Sequence, residues 1–184
     1  MSQKAAEIVN LFKNFGHSEY GGEAVTQIQH GLQAAMLAEE AGESETLILA
    51  CLLHDIGHLL HQLPNDAPDQ GIDDLHENLG NDYLQKIFPL AISEPVKLHV
   101  EAKRYLVTKE PNYSKILSQP SIISLMLQGG PMTAEECIAF EQNEFYLDGL
   151  KLRKYDDQAK IPNYPTHSIE HYQLLLNKYA NAEC

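Results

Sequence analysis

LILACLLHDIGH, residues 47–58, decides how the rest of the chain is read. Seven apolar residues run together and are followed at once by His54, Asp55 and His58. Ser44 is an N-cap residue, so the stretch predicts a helix through about Leu60 that is buried on all sides. In such a helix His54 and His58, four apart, share a face, and Asp55 lies at its side. Polar groups carried into a core need partners. An adjacent imidazole and carboxylate find a natural one in a metal ion, and a carboxylate has two oxygens with which to bridge to a second.

Working outward, the sequence predicts helices with short breaks. Residues 2–14 form a first helix with Ile8, Leu11 and Phe12 on one face, and Gly16 to Gly22 a loop. A second helix is expected from about Ala24 to Ala41, ended by Gly42. The Pro-, Asp- and Gly-rich stretch 62–75 reads as a surface loop, followed by a helix from Asp74 or His76 to Pro89. Ser93-Glu94-Pro95 looks like a helix start. Pro111 and Pro120 punctuate a short helix pair, and Gly129-Gly130-Pro131 is a break. Thr133 to Glu136 is a capping box. One helix from about 143 to Asp156 and a closing one at 168–180 complete the chain. No strand-like alternation runs longer than a few residues, and no linker interrupts the pattern. The expectation is an all-α helical bundle with one domain over residues 1–184.

Bulk properties agree with a globular chain of 184 residues, 43% hydrophobic and 21% charged. The net charge of −13 opposes binding to nucleic acid and anionic membranes. No apolar run approaches a membrane span and no signal-peptide core is evident, so a cytoplasmic location is expected; the oligomeric state is not legible. Three cysteines without CxxC spacing argue against a disulfide scaffold or zinc ribbon. His30, His76 and His99 each fall in or at the start of a helical segment, and Asp156 comes late. The order is H…HD…H…H…D.

That order resembles the HD superfamily, in which helices surround a metal site, and the two extra histidines mark its dinuclear branch. YGGEAVTQIQH (20–30), LLHDIGH (52–58), HENLGNDYL (76–84), HVEAKRYLV (99–107), QGGPM (128–132), LKLRKYDD (150–157) and EHY (170–172) together resemble the HD-domain mixed-valence diiron oxygenases that degrade phosphonates. The resemblance spans residues 20–172. It implies His30, His54, Asp55 and Asp156 around one iron, and Asp55 (bridging), His76 and His99 around the other, as a mixed-valence Fe(II)/Fe(III) pair. Dioxygen would be the co-substrate and an organophosphonate the partner, at best 2-amino-1-hydroxyethylphosphonate, split to glycine and phosphate.

The resemblance also implies roles around the metals. Lys103, four residues after His99, would place a cation beside the second metal. His58 would contact the phosphonate or support the metal ligands, and Ser121 and Gln128 would donate hydrogen bonds to it. Tyr20 would gate the iron, and Glu23 would read the substrate ammonium. Plainer explanations stand beside these: a solvated lysine, a helix-capping Ser121 after Pro120, and a Glu23 favoured near a helix start by the dipole. His30, His54, Asp55 and Asp156 would equally serve an HD phosphohydrolase acting on a nucleotide or phosphate ester. QGGPM and the additional histidines favour the oxygenase.

Overall fold

The computed structural model describes residues 2–61, 63 and 70–180. Among them are nine α-helices and one two-stranded sheet. The helices are α1 (Gln3–Phe15), α2 (Gln27–Glu40), α3 (Glu45–Leu53), α4 (His76–Leu84), α5 (Leu90–Lys109), α6 (Gln119–Leu127), α7 (Ala134–Glu141), α8 (Tyr146–Gln158) and α9 (Gln173–Tyr179). The mostly helical expectation holds.

α3 is the central element. Leu47 to Leu53 are all buried, because the helix packs against α2, α5 and α8 at once. Ser44 accepts a hydrogen bond from the Leu47 amide, as its N-cap position requires. Around it, Ala5, Ile8 and Phe12 of α1, Leu84 of α4, Ile92 and Val96 of α5 and Leu152 of α8 close one main core. Smaller apolar clusters join α5 to the α7 and α8 region and to the 113–117 turn.

Several boundaries differ from the sequence expectation. The second helix starts at Gln27, capped by Thr26 in a capping box with Gln29, and not at Ala24. Residues ahead of it form β1 (Glu19–Tyr20) and β2 (Glu23–Thr26), an antiparallel pair. Gly21 and Gly22 link them, both at positive φ (45° and 80°), as a two-residue primed hairpin turn needs. His30 consequently sits in the first turn of α2. α3 stops at Leu53 instead of continuing to Leu60; a turn at His54-Asp55 leads into a 3-10 segment, Ile56–Leu59. α5 starts at Leu90 behind Pro89, with Pro95 inside it, so Ser93-Glu94-Pro95 is not its start. Pro95 lies early in the helix, where the missing N–H removes one bond without ending it. Between Pro111 and Pro120 only the 3-10 turn Tyr113–Lys115 forms. α8 begins at Tyr146 and runs past Asp156 to Gln158. The closing segment divides into a 3-10 turn, Ile169–Tyr172, and α9. Of the expected surface loop 62–75, residues 62 and 64–69 lie outside the described residues. α4 is entered through Leu75 in the left-handed region, φ 50°.

One close approach fixes the site's framework. A Cβ on Gly57 would stand 2.0 Å from the carbonyl oxygen of His76. Only glycine lets the 56–59 turn and the start of α4 meet backbone to backbone. Gly57→Ala is expected to lower the free energy of unfolding by about 1–3 kcal/mol, read by urea denaturation.

Candidate metal centre and its pocket

The interruption after α3 aims His54 and Asp55 at the same point. Helix ends leave carbonyl groups without amide partners. Here the carbonyl of Cys51, in the last turn of α3, accepts a hydrogen bond from Nδ1 of His54 at 2.8 Å. His30 does the same with Ala159, just past the end of α8, at 2.8 Å. Nδ1 of His99 donates to Val96 within α5 at 2.6 Å. Nδ1 of His76 donates to Oδ1 of Asp74 at 2.8 Å. A neutral imidazole that donates from Nδ1 carries a lone pair on Nε2.

These lone pairs face one another. Nε2 of His30 lies 3.0 Å from Nε2 of His54, and Nε2 of His76 lies 3.1 Å from Nε2 of His99. Asp55 stands between the two pairs. Its Oδ2 is 3.1 Å from His54 and 3.4 Å from His30, and its Oδ1 is 3.4 Å from His76 and 3.5 Å from His99. Oδ1 of Asp156 closes the first pair at 3.2 Å from His30. Both oxygens of Asp55 and Oδ1 of Asp156 are buried without a hydrogen-bond partner. Paired acceptors and orphaned carboxylate oxygens in a buried space need cations. His30, His54 and Asp156 form one potential metal cluster and Asp55, His76 and His99 another. All six expected ligands thus converge, and the donor set of imidazoles and carboxylates fits two transition-metal ions.

The electrostatics describe the same need. Burial disfavours a charged His30, but the facing carboxylates of Asp156 and Asp55 outweigh it and raise its pKa to about 9. Burial is likewise outweighed at His76, by Asp74 and the charge of Asp55, again reaching about 9. In the metal-free protein a proton stands in for the cation that the facing nitrogens lack. His99 remains neutral because burial lowers its pKa well below the ordinary value. Burial would raise Asp55 and Asp156, yet the positive groups around each hold both well below the usual carboxylate range.

Beside this centre lies a cavity of about 330 Å³ lined by Tyr20, Glu23, His58, Lys103, Ser121 and Gln128, with His76, His99 and Asp156 on its wall. The expected substrate residues are therefore brought together. Tyr20, at the end of β1, stacks on His30 with ring centroids 3.9 Å apart. Burial and the nearby charges of Asp55 and Asp156 raise its hydroxyl pKa. The hairpin that places it was missed; the YGGE stretch carried the signal, since Gly-Gly between short runs marks such a turn. His58 is not one helical turn below His54. The break carries it aside, so that its Nδ1 lies 2.8 Å from Asp74 and its Nε2 3.9 Å from Asp55. Burial and the neighbouring charge of His76 lower its pKa. Ser121 is not the cap of α6; Ser118 is, and Ser121 hydrogen-bonds to Ser118 and Lys160. Gln128 ends α6 with its Oε1 buried and unpartnered.

Other residues of the site escaped sequence reading. Asp74, in the presumed loop, binds His76 through one oxygen and both His58 and His61 through the other. Arg153 is buried and pairs with Asp156 at 2.7 Å and also with Asp157. Lys160, four residues after Asp156, lies 3.7 Å from its carboxylate and 4.0 Å from Glu23. Asp156-to-Lys160 spacing at one helical turn was the available signal. Lys103, by contrast, has no carboxylate in ion-pair range among the described residues; its Nζ donates to Ser124 at 2.7 Å. Burial, helped by the charge of Arg153, lowers its pKa to about 7.

An HD-domain family model matches residues 28–142. A 1-hydroxy-2-(trimethylamino)ethylphosphonate dioxygenase (glycine-betaine-forming) from Leisingera caerulea is 39% identical over 95% of this chain and 91% of its own length. A hydroxymethylphosphonate dioxygenase from Gimesia maris is 39% identical over 92% of this chain and 85% of its own. The chain belongs to the HD-domain phosphonate dioxygenase family. An uncharacterized protein of Acanthamoeba polyphaga mimivirus is 43% identical over 96% of the chain and 82% of its own length.

Two outcomes follow for metal loading. Ligand histidines must lose their protons to bind, so metal uptake should release protons below pH about 9, and apparent affinity should fall as pH falls. Calorimetric titration in buffers of different ionisation heat measures this. Asp74→Asn, which unsettles the ring orientation of His76, should cost about 10–100-fold in metal affinity, read by chelator competition.

Proposed function

We propose that the chain is a mixed-valence diiron dioxygenase that cleaves the carbon–phosphorus bond of a 1-hydroxyphosphonate. The carrying observation is Lys103, a buried amine whose pKa burial lowers to about 7 and which has no carboxylate in ion-pair range among the described residues, beside the His/Asp cluster of a protein with net charge −13. Leaving a buried charge without a counter-ion is unfavourable. An anionic substrate group supplies one, and a phosphonate has the oxygens for it.

His30, His54, Asp55 and Asp156 would hold one iron, and Asp55, His76 and His99 the other. The bound pair supplies dioxygen activation and the Lewis acidity that grips the substrate hydroxyl. The protein's own residues position, pair and exclude. Lys103 draws the phosphonate into the cavity and forms a charge-assisted hydrogen bond to it. Gln128, donating from Nε2, and Ser121, donating from its hydroxyl, complete the anion's contacts. His58, donating from Nδ1 to Asp74, keeps a lone pair on Nε2 for a proton on the substrate. Tyr20, stacked on His30, covers the first metal position from the hairpin side and excludes water. Glu23 presents a buried Oε1 to the pocket that has no hydrogen-bond partner and has the Lys160 ammonium 4.0 Å away, a setting that suits a primary ammonium; a trimethylated one prefers aromatic faces. On that ground the preferred substrate is 2-amino-1-hydroxyethylphosphonate. With one dioxygen it yields glycine and phosphate, with all atoms accounted for.

The test is aerobic incubation of the iron-loaded, partly reduced protein with this compound, with hydroxymethylphosphonate and with the trimethylammonium analogue. Phosphate release should match oxygen uptake and vanish in Asp55→Ala. Phosphate without oxygen uptake would replace the reading with hydrolysis. Lys103→Met should raise KM for every active phosphonate by about 10–100-fold, the worth of one charged hydrogen bond, about 1.5–3 kcal/mol. Glu23→Gln should weaken the amino substrate alone; an equal loss with hydroxymethylphosphonate would remove Glu23 from ammonium recognition.

A further inference from the structure

Away from the pocket, the outer end of α2 and the turn before α9 gather another set of ligand-type side chains. His167 and His171 are four residues apart, and their rings stack at 4.0 Å with 17° between planes. Nε2 of His171 lies 3.1 Å from each carboxylate oxygen of Glu39. One ligand atom from each of Glu39, His167 and His171 falls within 4.8 Å of the others. We propose that these three residues form a separate surface site for a divalent transition-metal ion of the zinc class.

The donor set specifies that class. Two imidazoles and one carboxylate suit zinc, cobalt or nickel, whereas calcium and magnesium take oxygen ligands. Three protein ligands leave a fourth position for water. The scaffold holds the set nearly in place. Ile169 and Tyr172 are buried on either side of His171, so its turn is anchored in the core. The Tyr172 hydroxyl donates to Oε2 of Glu39 at 3.3 Å, orienting the carboxylate as the surroundings of a metal ligand commonly do. Among the described residues Glu39 has no lysine or arginine partner; Lys13, the nearby cation, pairs with Glu170 at 2.6 Å. A simple imidazolium–carboxylate pair would employ Glu39 and His171 only. Here His167 stacks on that pair and adds a second ring nitrogen within 4.8 Å of the other two ligand atoms.

Glu39 follows His30 on α2 by nine positions, about 13 Å along the axis at 1.5 Å per residue. The ion would therefore be distinct from the central pair. It would tie the end of α2 to the chain's closing turn.

The experiment is equilibrium dialysis of the iron-loaded protein against zinc, with total iron plus zinc counted by elemental analysis. Wild type should hold three ions per chain. Glu39→Gln and His171→Gln, which do not line the pocket, should each hold two, with oxygen uptake unchanged. Zinc should raise the melting temperature of wild type and not of the variants. A wild-type total of two, including zinc exchanged for iron, would overturn the proposal. So would three ions retained in both variants, since the added ion would then lie elsewhere.

Discussion

The structure turns on four imidazole rings held with their Nε2 atoms facing in two pairs, one on either side of Asp55. Each ring is locked from behind: His54 by Cys51, His30 by Ala159, His99 by Val96 and His76 by Asp74. In water two such nitrogens would turn away from one another. Here the backbone acceptors lie in α3 and α5 and just past the end of α8, so a ring that turned away would leave a buried carbonyl without its hydrogen bond. Each facing pair of nitrogens shares a proton or a cation, so cation binding there is linked to proton release and to folding.

The same device explains the way the helices end. α3 stops at Leu53 although its residues are apolar enough to continue, because the carbonyl at Cys51 is taken by a side chain and Asp55 must turn inward. The 56–59 turn then packs against α4 through Gly57, and α4 opens on His76. Burial supplies the driving force, and the interruption supplies the chemistry. The cavity beside the centre carries Lys103, Arg153 and Lys160 together with the carboxylates of Glu23, Asp74 and Asp156, so charge of both signs is concentrated on its wall.

Much of this was legible in the sequence. The apolar run before His54-Asp55 announces a buried helix, and the order of histidines and aspartates announces the side chains that the fold brings together. Local signals set the caps at Ser44, Gly42 and Thr133. What was illegible depended on tertiary competition. The helical pattern around Val25 hid a four-residue strand, whose existence rests on pairing with Glu19 and Tyr20. His58 has the spacing of a helical neighbour of His54 and is diverted only because the helix breaks between them. Asp74 sits in a stretch with loop composition, and nothing local says that three histidines will converge on it. Arg153 and Lys160 look like ordinary helix-end charges until Asp156 is seen to be buried.

The most direct measurement is anomalous scattering from crystals of the iron-loaded protein, collected on both sides of the iron absorption edge. Two iron peaks are predicted, roughly 3.5–4 Å apart as in other two-metal sites. One should lie among His30, His54, Asp55 and Asp156, and the other among Asp55, His76 and His99. A single peak, or a second iron that Asp55 does not touch, would contradict the account.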